Sequence, residues 1–424
     1  MLNMAEDRDR ILKTMITEDE LSAIEARPEL KKDYRTEEFW MNVGPQHPST
    51  HGVLRLVLKM DGEVIVDCVP QIGYLHRGLD KMAELKTYNQ YLPYLDRADY
   101  VSAMLTEHCY VMAVEKLAGI EVPERAEYIR VIVSELNRIA SHLVWLGVLS
   151  LDLGAITPFL YCFREREIIM DLFEMLCGQR LTYNYLRFGG VAFDIDEAVN
   201  PNAPHKFLGI TVNPGGERGV DFATLAYRFA EVFPDRVDDY EAILTHNEIF
   251  LERMAGIGYL PLDVALSYGV TGPNIRGSGF AYDIRKVDKY SIYEKVYNGT
   301  GIEPPTGEKG DCWDRYKVRI QEMRDSCKMI KWCLDNIPDG PIRSKVPRVL
   351  KVAEGETYMR IEAPRGEFGI YLVSDGTNKP YRLKLRGPSF SNLSVLPYMI
   401  RGYKVADLIA IFGSLDVILP DCDR

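Results

Sequence analysis

The chain has 424 residues, and 46% of them are hydrophobic, which is enough for a large core and too many for a disordered or fibrous protein. Its 62 acidic and 51 basic residues give a net charge of -11, which argues against sequence-independent binding of nucleic acid. The eight cysteines include no C-x-x-C pair, so we expect reduced thiols in a cytosolic compartment.

The N-terminal part predicts a charged arm and then a turn that carries histidines. Residues 1–38 are dense in charges of both signs and contain no apolar signal region, so we expect an exposed arm and no secretory signal. The next motif is Gly44-Pro45-Gln46-His47-Pro48-Ser49-Thr50-His51-Gly52. Its prolines and glycines argue against a helix and predict a shaped loop that holds both imidazoles.

Two histidines on one turn have three interpretations. They suggest proton chemistry, because the ordinary pKa of histidine lies near neutral pH. A surface or hydrogen-bonded polar role is the ordinary alternative in a Pro-rich turn. A zinc site is disfavoured, because Cys68 lies beyond the next turn and no cysteine pair is near enough to complete a tetrahedral set.

Periodicity predicts the elements that follow. Leu54, Leu56 and Leu58, the turn Asp61-Gly62, and then Val64, Val66 and Cys68 predict a β-hairpin. Helical spacing predicts helices at 97–117, from Pro123, from Pro158 to Gly178, at 222–255 with an interruption at Pro234, and at 313–336. Strands are predicted at 358–361, 368–373 and 381–385.

Residues 143–163 contain a single charge, Asp152, and are a candidate membrane span. A central carboxylate is costly in a bilayer, and Gly154 and Pro158 would break the helix, so we expect a helix end, a turn and a second helix instead. The fold class is predicted as α+β. Its parts are a charged arm at 1–38, a β lobe with the histidine loop at 39–75, a helical bundle at 76–340, and a C-terminal β lobe and tail at 341–424.

Motifs for nucleotides and for acyl transfer are missing from the sequence. It contains no G-x-G-x-x-G, no Walker loop and no G-x-S-x-G elbow. The glycine turns at 213–216 and 276–279 lack the strand-to-helix context of a phosphate cradle. We therefore expect no NAD or ATP site in this chain.

Five motifs, taken in order, give the chain a family resemblance. Besides the histidine loop, they are Ile72-Gly73-Tyr74-Leu75-His76-Arg77-Gly78, Leu95-Asp96-Arg97-Ala98-Asp99-Tyr100, Leu151-Asp152-Leu153-Gly154-Ala155, and Ser374-Asp375-Gly376 through Pro388-Ser389-Phe390. From about Met41 to Arg424 the chain resembles the D subunit, or 49 kDa subunit, of proton-pumping NADH:quinone oxidoreductase, respiratory complex I (NDH-1). That family is related to the large subunit of nickel-iron hydrogenases, which implies a central helical bundle with β lobes from both ends of the chain.

The hydrogenase relatives bind nickel and iron through two C-x-x-C pairs. The resemblance sets the first pair at Asp99 and Ser102 and the second at Ile418 and Asp421. None of the four is cysteine, so we expect this chain to bind no metal. The ancestral cavity would then be empty and free to hold an organic substrate.

The resemblance implies that this cavity reduces a quinone, which takes up two electrons and two protons. His51 and the Tyr100 phenol would then be the partners of the headgroup, and Asp152 the carboxylate that pairs with the histidine and raises its pKa. His47 is expected to hold the loop in shape. Considered singly, Tyr100 could instead be an aromatic at a helix start, and Asp152 a helix N-cap.

The sequence shows no iron-sulfur ligation pattern, so the resemblance implies that electrons come from partner subunits. The B subunit of the complex would carry the terminal 4Fe-4S cluster, with Arg77 and Arg97 near it, and FMN and the other iron-sulfur clusters would lie in other partners. The C, I and H subunits and the membrane arm are further expected partners. The chain would be a peripheral membrane protein at the cytoplasmic face of the bacterial inner membrane, within a proton-translocating enzyme.

One position departs from the family pattern. After the counterpart of Gly178-Gln179-Arg180 many relatives carry a histidine that makes the potential of the cluster depend on pH, whereas this chain carries Thr182. Threonine does not titrate, so we hypothesise a lower-potential cluster matched to a low-potential quinone such as menaquinone. A redox titration with a slope of roughly 60 mV per pH unit would contradict this hypothesis.

Two other functions compete with quinone reduction. A hydrogenase-like metal catalyst is disfavoured by the absent cysteine quartet. A non-catalytic scaffold subunit of the same type of complex would keep the fold without the chemistry. Replacing Tyr100 by Phe separates the scaffold from the catalyst, because a scaffold would leave quinone reduction unchanged.

Overall fold

The structure is a computed structural model that describes residues 38–50, 52–196, 199–200, 206–207, 210–211 and 220–424. The chain divides into two compact units, residues 1–39 and 40–424. The predicted charged arm lies outside the described residues apart from Glu38, and so does His51.

The N-terminal strands form a small sheet and a separate ribbon. They are β1 (Glu38–Val43), β2 (Gln46–His47), β3 (Gly52–Val53), β4 (Arg55–Asp61) and β5 (Val64–Gln71). The sheet has the order β1-β4-β5, and β2 pairs with β3. The predicted hairpin joins β4 to β5. The predicted phase of its second strand is wrong up to the bulge and right after it. Val66 is the extra residue of the bulge and is exposed, while Ile65 is buried; Cys68 is buried as predicted.

Helices dominate the middle of the chain. They are α1 (Leu79–Leu85), α2 (Tyr88–Leu95), α3 (Ala103–Ala118), α4 (Glu124–Asp152), α5 (Ile156–Cys177), α6 (Phe222–Leu244), α7 (Glu248–Met254), α8 (Leu262–Ser267), α9 (Pro273–Gly277), α10 (Ile284–Val287), α11 (Tyr293–Thr300) and α12 (Cys312–Asn336). The described residues between α5 and α6 form three two-stranded ribbons, which pair β6 (Leu186–Arg187) with β7 (Gly190–Val191), β8 (Val199–Asn200) with β11 (Val220–Asp221), and β9 (Lys206–Phe207) with β10 (Ile210–Thr211).

The C-terminal part returns to strands and ends in short helices. An antiparallel sheet of β12 (Gly355–Ala363), β13 (Gly366–Ser374) and β14 (Arg382–Arg386) packs on α3 and α1. It is followed by α13 (Pro388–Ser394), α14 (Leu396–Ile400), α15 (Val405–Leu415) and α16 (Leu419–Asp423). The α+β class, with a helical bundle and strand lobes near both ends, is confirmed.

The long helix α4 is the centre of the bundle and packs against α3, α5, α12 and α15. It stops at Asp152, and α5 starts at Ile156 after a turn closed by hydrogen bonds from Gly154 N to Leu151 O and from Ala155 N to Ser150 O. The predicted helix end, turn and second helix are therefore present. In the described part of the chain, no helix is both long and apolar enough to cross a membrane.

The predicted interruption at Pro234 is wrong, because α6 runs unbroken through it. A proline inside a helix loses one backbone hydrogen bond and costs about 3 kcal/mol. Phe229, Phe233 and Val237 continue one buried stripe across the proline, and this burial holds the helix together.

Candidate functional site

An open hollow of about 340 Å³ lies where the turn before α1, the turn before α3 and the helix α16 meet. Apolar and aromatic side chains, two guanidiniums and one imidazole line it: Tyr74, Leu75, His76, Arg77, Arg97, Tyr100 and Pro420. Tyr100 is 38% exposed, so its phenol can be reached from the hollow. A hollow of this composition fits a small planar molecule with polar oxygen atoms.

One wall of the hollow, residues 73–77, is held by α16. The Asp423 carboxylate accepts hydrogen bonds from the backbone N–H groups of Gly73 and Leu75, both at 2.7 Å. The carbonyl oxygen of Asp423 lies 2.7 Å from Nδ1 of His76. Since one carboxylate accepts two backbone donors, Asp423 fixes the path of this wall.

The two arginines that were predicted to lie near a partner's cluster are neighbours, Arg77 on this wall and Arg97 in the turn after α2. Arg77 Nη2 donates to the carbonyl oxygen of Arg97 at 2.5 Å. The Arg97 guanidinium in turn donates to the carbonyl oxygen of Pro93 at the end of α2. Their positive charges are thus concentrated at one edge of the hollow.

A buried cluster of charges lies behind Tyr100. Arg365, in the turn between β12 and β13, donates to Asp99 Oδ2 at 2.8 Å and to Asp416 Oδ1 at 3.4 Å. Burial raises the pKa of Tyr100; the Arg365 guanidinium opposes this rise, and the carboxylates Asp99 and Asp416 add to it. The phenol therefore keeps its proton at neutral pH while facing an ionic cluster on its inner side.

The four positions of the lost metal ligands come together in this cluster. Ser102 Oγ donates to Asp99 Oδ2 at 2.5 Å. On the other side, Ser389 N donates to Asp421 Oδ2 at 2.8 Å, and Ile418 N donates to Ser389 Oγ at 3.2 Å. Burial, and then the negative charge of Asp99, raise the pKa of Asp421 to about 6.

The sequence suggested that the ancestral cavity is empty, and this expectation is wrong. The Arg365 guanidinium binds Asp99 of the first lost pair and the nearby Asp416, and it is close enough to Asp421 of the second pair to interact with its charge. Buried carboxylates without a metal need another positive charge. The open hollow lies beside this cluster, on the Tyr100 side. Arg365 was missed in the sequence, where its only signal was a charged residue in a tight turn between apolar strands.

Hydrogen bonds hold the backbone of the histidine loop before and after His51. His51 itself lies outside the described residues. A single turn of 3₁₀ helix, Pro48–Thr50, connects the paired strands β2 and β3, so the expectation of a wholly non-helical loop was wrong. The buried Thr50 hydroxyl bonds to the carbonyl oxygens of His47 and Gly52 at 2.7 and 2.9 Å. His47 Nδ1 accepts from Ser49 N at 3.3 Å, which agrees with a role in shaping the loop.

The loop also reaches the helix that borders the hollow. A Cβ atom placed on Gly52 would lie 3.2 Å from the Leu419 side chain. Leu419 precedes Pro420, which lines the Tyr100 hollow. The residue after His51 is therefore packed on the same short helix that forms one side of the hollow.

Asp152 is at the end of α4 and is half-buried. It is the last residue of its helix and not an N-cap. The lining of the Tyr100 hollow does not include it. The fold brings together three of the predicted site residues that the structure describes: Arg77, Arg97 and Tyr100. The four positions of the lost metal ligands lie next to them: Asp99, Ser102, Ile418 and Asp421.

All eight cysteines are free thiols, and seven of them are buried. Burial raises the pKa of Cys68 to about 12, so this thiol stays protonated at neutral pH. Among the described residues, no group of three or more His, Cys, Asp or Glu side chains is arranged to hold a metal ion.

Comparison with known proteins gives the family. The sequence profile of the respiratory-chain NADH dehydrogenase 49 kDa subunit matches residues 152–351 and 346–424. The chain is 50% identical over 391 residues to the D subunit of the NADH-quinone oxidoreductase of Dehalococcoides mccartyi, covering 92% of this chain and 99% of that protein.

The corresponding D subunits of Desulforamulus reducens and Bacillus cereus are 48% and 46% identical over 389 and 390 residues, again covering 92% of this chain and 99% of each relative. Identity at this level across nearly the whole of each relative establishes common descent and a common fold. The chain belongs to the family of the respiratory-chain NADH dehydrogenase 49 kDa subunit, which is the D subunit of NADH-quinone oxidoreductase.

Proposed function

We propose that this chain forms the quinone-reduction site of a complex I type NADH:quinone oxidoreductase, with the quinone headgroup in the hollow at Tyr100. The observation that carries the proposal is the half-exposed phenol, which faces the hollow on one side and the buried Arg365 cluster on the other. The names of the relatives add support, since each is one of the subunits of an NADH-quinone oxidoreductase.

Tyr100 would act as one of two proton donors. A quinone that gains two electrons gathers negative charge on its two carbonyl oxygens, and each oxygen then takes a proton. A phenol whose pKa is raised by burial holds its proton until such a base is next to it. The Arg365 guanidinium would then stabilise the phenolate left behind, until a proton returns to it.

His51 would donate to the other carbonyl oxygen, with Asp152 as its carboxylate partner. The family resemblance assigns both roles. Two features of the fold support the assignment of His51: the Thr50 hydroxyl fixes the backbone on both sides of it, and Gly52 packs against Leu419 beside the hollow. In this scheme Asp152 raises the pKa of the imidazole, so that the histidine is charged when the quinone arrives.

Electrons would come from the terminal iron-sulfur cluster of the B subunit, across the edge of the hollow that carries Arg77 and Arg97. The fixed positive charge of the two guanidiniums would favour the reduced state of such a cluster. FMN and the remaining clusters would lie in further subunits, and the C, I and H subunits and the membrane arm would complete the complex. Within this complex the chain would be a peripheral membrane protein at the cytoplasmic face of the membrane. The complex would use quinone reduction to translocate protons.

The identity of the quinone stays a prediction. Thr182 lies in the loop after α5 with a φ of 55°, and its side chain cannot titrate. The low-potential quinone expected from this position is tested by titrating the cluster of the assembled complex at several pH values. A potential that does not move with pH is the expected result.

Tyr100→Phe tests the catalytic proposal in the assembled complex. Loss of the proton donor should lower kcat for quinone reduction by about 10²- to 10⁴-fold, while the amount of assembled complex stays the same. Tyr381→Phe is the matched control, because Tyr381 is 66% exposed and lies outside the hollow. If the Tyr100 variant reduces quinone at the unaltered rate, the chain is a scaffold and the proposal is wrong.

A further inference from the structure

Two buried carboxyl groups outside the hollow lie close together, and the described residues form no ion pair with either of them. Asp96 follows α2 and Glu107 lies in α3, and both side chains are fully buried. They lie close together, because Asp96 and Glu107 accept hydrogen bonds from the adjacent backbone N–H groups of Asn184 and Tyr185. In the part of the chain that the structure describes, neither group forms an ion pair with an arginine, a lysine or a histidine within 4.0 Å.

The outer oxygen of each carboxyl holds the loop after α5. Asp96 Oδ2 accepts from Asn184 N at 3.0 Å. Glu107 Oε2 accepts from Tyr185 N at 2.9 Å and from Leu186 N at 2.8 Å. Three consecutive backbone N–H groups are thus bound by two carboxyls, in a segment with residues in the left-handed conformation at positions 182 and 184.

The inner oxygens are the unusual feature. Asp96 Oδ1 and Glu107 Oε1 are fully buried, and no donor of the described protein reaches either of them. A buried acceptor without a donor is costly, and two such acceptors on facing carboxylates would also repel each other. A single proton between the two carboxyls removes both costs, because one group then donates to the other.

The charged and titratable neighbours do not neutralise the pair. Arg187 lowers both pKa values and Arg97 lowers that of Asp96, but burial outweighs them, and both pKa values lie above their ordinary range. Arg187 uses its guanidinium for the carbonyl oxygens of Asn184 and Leu186, and Arg97 uses its own for Pro93. The other titratable groups around the pair are neutral, because burial raises the pKa values of the part-buried Cys177 and of the buried Tyr183 and Tyr185.

We propose that Asp96 and Glu107 share one proton at neutral pH. This proton would hold together the two carboxyls that bind the loop at 184–186 next to the turn that carries Arg97 and Tyr100. Asp96 directly precedes Arg97, and Glu107 is in the helix that begins just after Tyr100. The protonated pair therefore connects the chain segments on the inner side of the hollow to the loop after α5. This inference stands on the buried geometry and does not depend on quinone binding.

Amide substitutions distinguish a shared proton from two carboxylates. In Asp96→Asn or in Glu107→Gln, the amide oxygen can accept from the loop while the NH₂ group donates to the remaining carboxylate, so each single variant replaces the proton. In the double variant two NH₂ groups face each other. Heat inactivation of the assembled complex should therefore shift little in either single variant, and in the double variant by several degrees more than the sum of the two shifts.

Two results of this cycle would overturn the proposal. A double variant at least as stable as the singles would mean that both groups are ionised in the wild type and gain from any loss of charge. Single variants each as unstable as the double would mean that an amide cannot replace the proton.

Infrared difference spectra of the single variants provide a test that does not need the double variant to fold. The wild-type complex should show the C=O band of a buried protonated carboxyl that is absent from Asp96→Asn and from Glu107→Gln alike, because each amide leaves its partner ionised. A band that survives in either variant would show that the proton belongs to one group alone, and would contradict the sharing.

Discussion

Two regions of this chain bury carboxyl groups equally deeply and treat them in opposite ways. In the helical bundle, Glu135 on α4 accepts from Arg138 at 3.1 Å and from Arg285 at 3.1 Å, and also from the hydroxyl groups of Tyr293 and Ser326. Burial by itself would raise the pKa of Glu135, but the two guanidiniums outweigh it and hold this pKa at about 2. This carboxylate is permanently charged.

The Asp96–Glu107 pair has the same burial and no such partners, and its pKa values move upward. In these two places the direction of the pKa shift follows the balance between burial, which raises it, and nearby guanidiniums, which lower it. The bundle network fixes charges in place, whereas the acid pair retains a proton. The Arg365 cluster behind Tyr100 lies between these cases, since Asp99 and Asp416 are paired while Asp421 keeps a pKa of about 6.

Breaking the bundle network should have the largest effect. Arg285→Met removes one of the guanidiniums paired with Glu135 and with Asp283 and leaves buried negative charge uncompensated, which we expect to cost about 3–5 kcal/mol of stability. The measurement is the amount of chain found in assembled complex, together with its heat inactivation. Arg228→Met, which breaks only an exposed pair with Glu231, should change little. Equal behaviour of the two variants would refute the role given to the network.

The charge state of Asp421 gives a prediction on pH. Its pKa is raised from 3.8 to about 6 in the folded chain, so its contribution to stability is complete below the unfolded value and is lost as pH rises through about 6. Asp421→Asn removes this dependence. Near neutral pH the wild type should have lost on the order of 3 kcal/mol relative to acid conditions, a slope that the variant lacks. Parallel pH profiles of heat inactivation would contradict this assignment.

The wall of the hollow can be loosened without touching Tyr100. Asp423→Asn leaves one acceptor for the two N–H groups of Gly73 and Leu75, so we expect a cost of about 1–3 kcal/mol and a higher KM for quinone at nearly unchanged kcat. Asp375→Asn, in an exposed turn, is the control. A fall in kcat with constant KM would show that Asp423 does not act through the shape of the wall.

The smallest effect is expected in the histidine loop. Thr50→Val removes a buried hydroxyl that bonds to two carbonyl oxygens, whereas His47→Ala removes one long hydrogen bond at the surface. Both should destabilise the loop, Thr50→Val by about 1 kcal/mol and His47→Ala by less. Limited proteolysis within the loop measures the order. The reverse ranking would show that His47, and not Thr50, contributes most to the order of the loop.

The sequence predicted the parts of the fold that repeat locally. The spacing of apolar residues located α4, α5 and α12 to within a few residues, because a helix that buries one face must repeat that face. It failed at Val66 and Pro234, where the bulge and the unbroken helix depend on partners distant in the chain. The family motifs located Arg77, Arg97 and Tyr100.

No local pattern could reveal that Arg365 meets Asp99 and Asp416, or that Asp96 and Glu107 together bind a loop far along the chain. These contacts arise only when the turn between β12 and β13 and the loop after α5 close onto α3. Charge pairing of this kind is a property of the tertiary structure. This pairing decides which carboxyls stay ionised, and it cannot be predicted from local sequence motifs.

Photolabelling tests the quinone site most directly. An azidoquinone bound to the assembled complex should label peptides that contain Tyr74–Arg77 or Arg97–Tyr100, and excess unlabelled quinone should abolish this labelling. Labelling that persists in the presence of excess quinone, or that falls only on other parts of the chain or on other subunits, would contradict the assignment of the headgroup to the hollow at Tyr100.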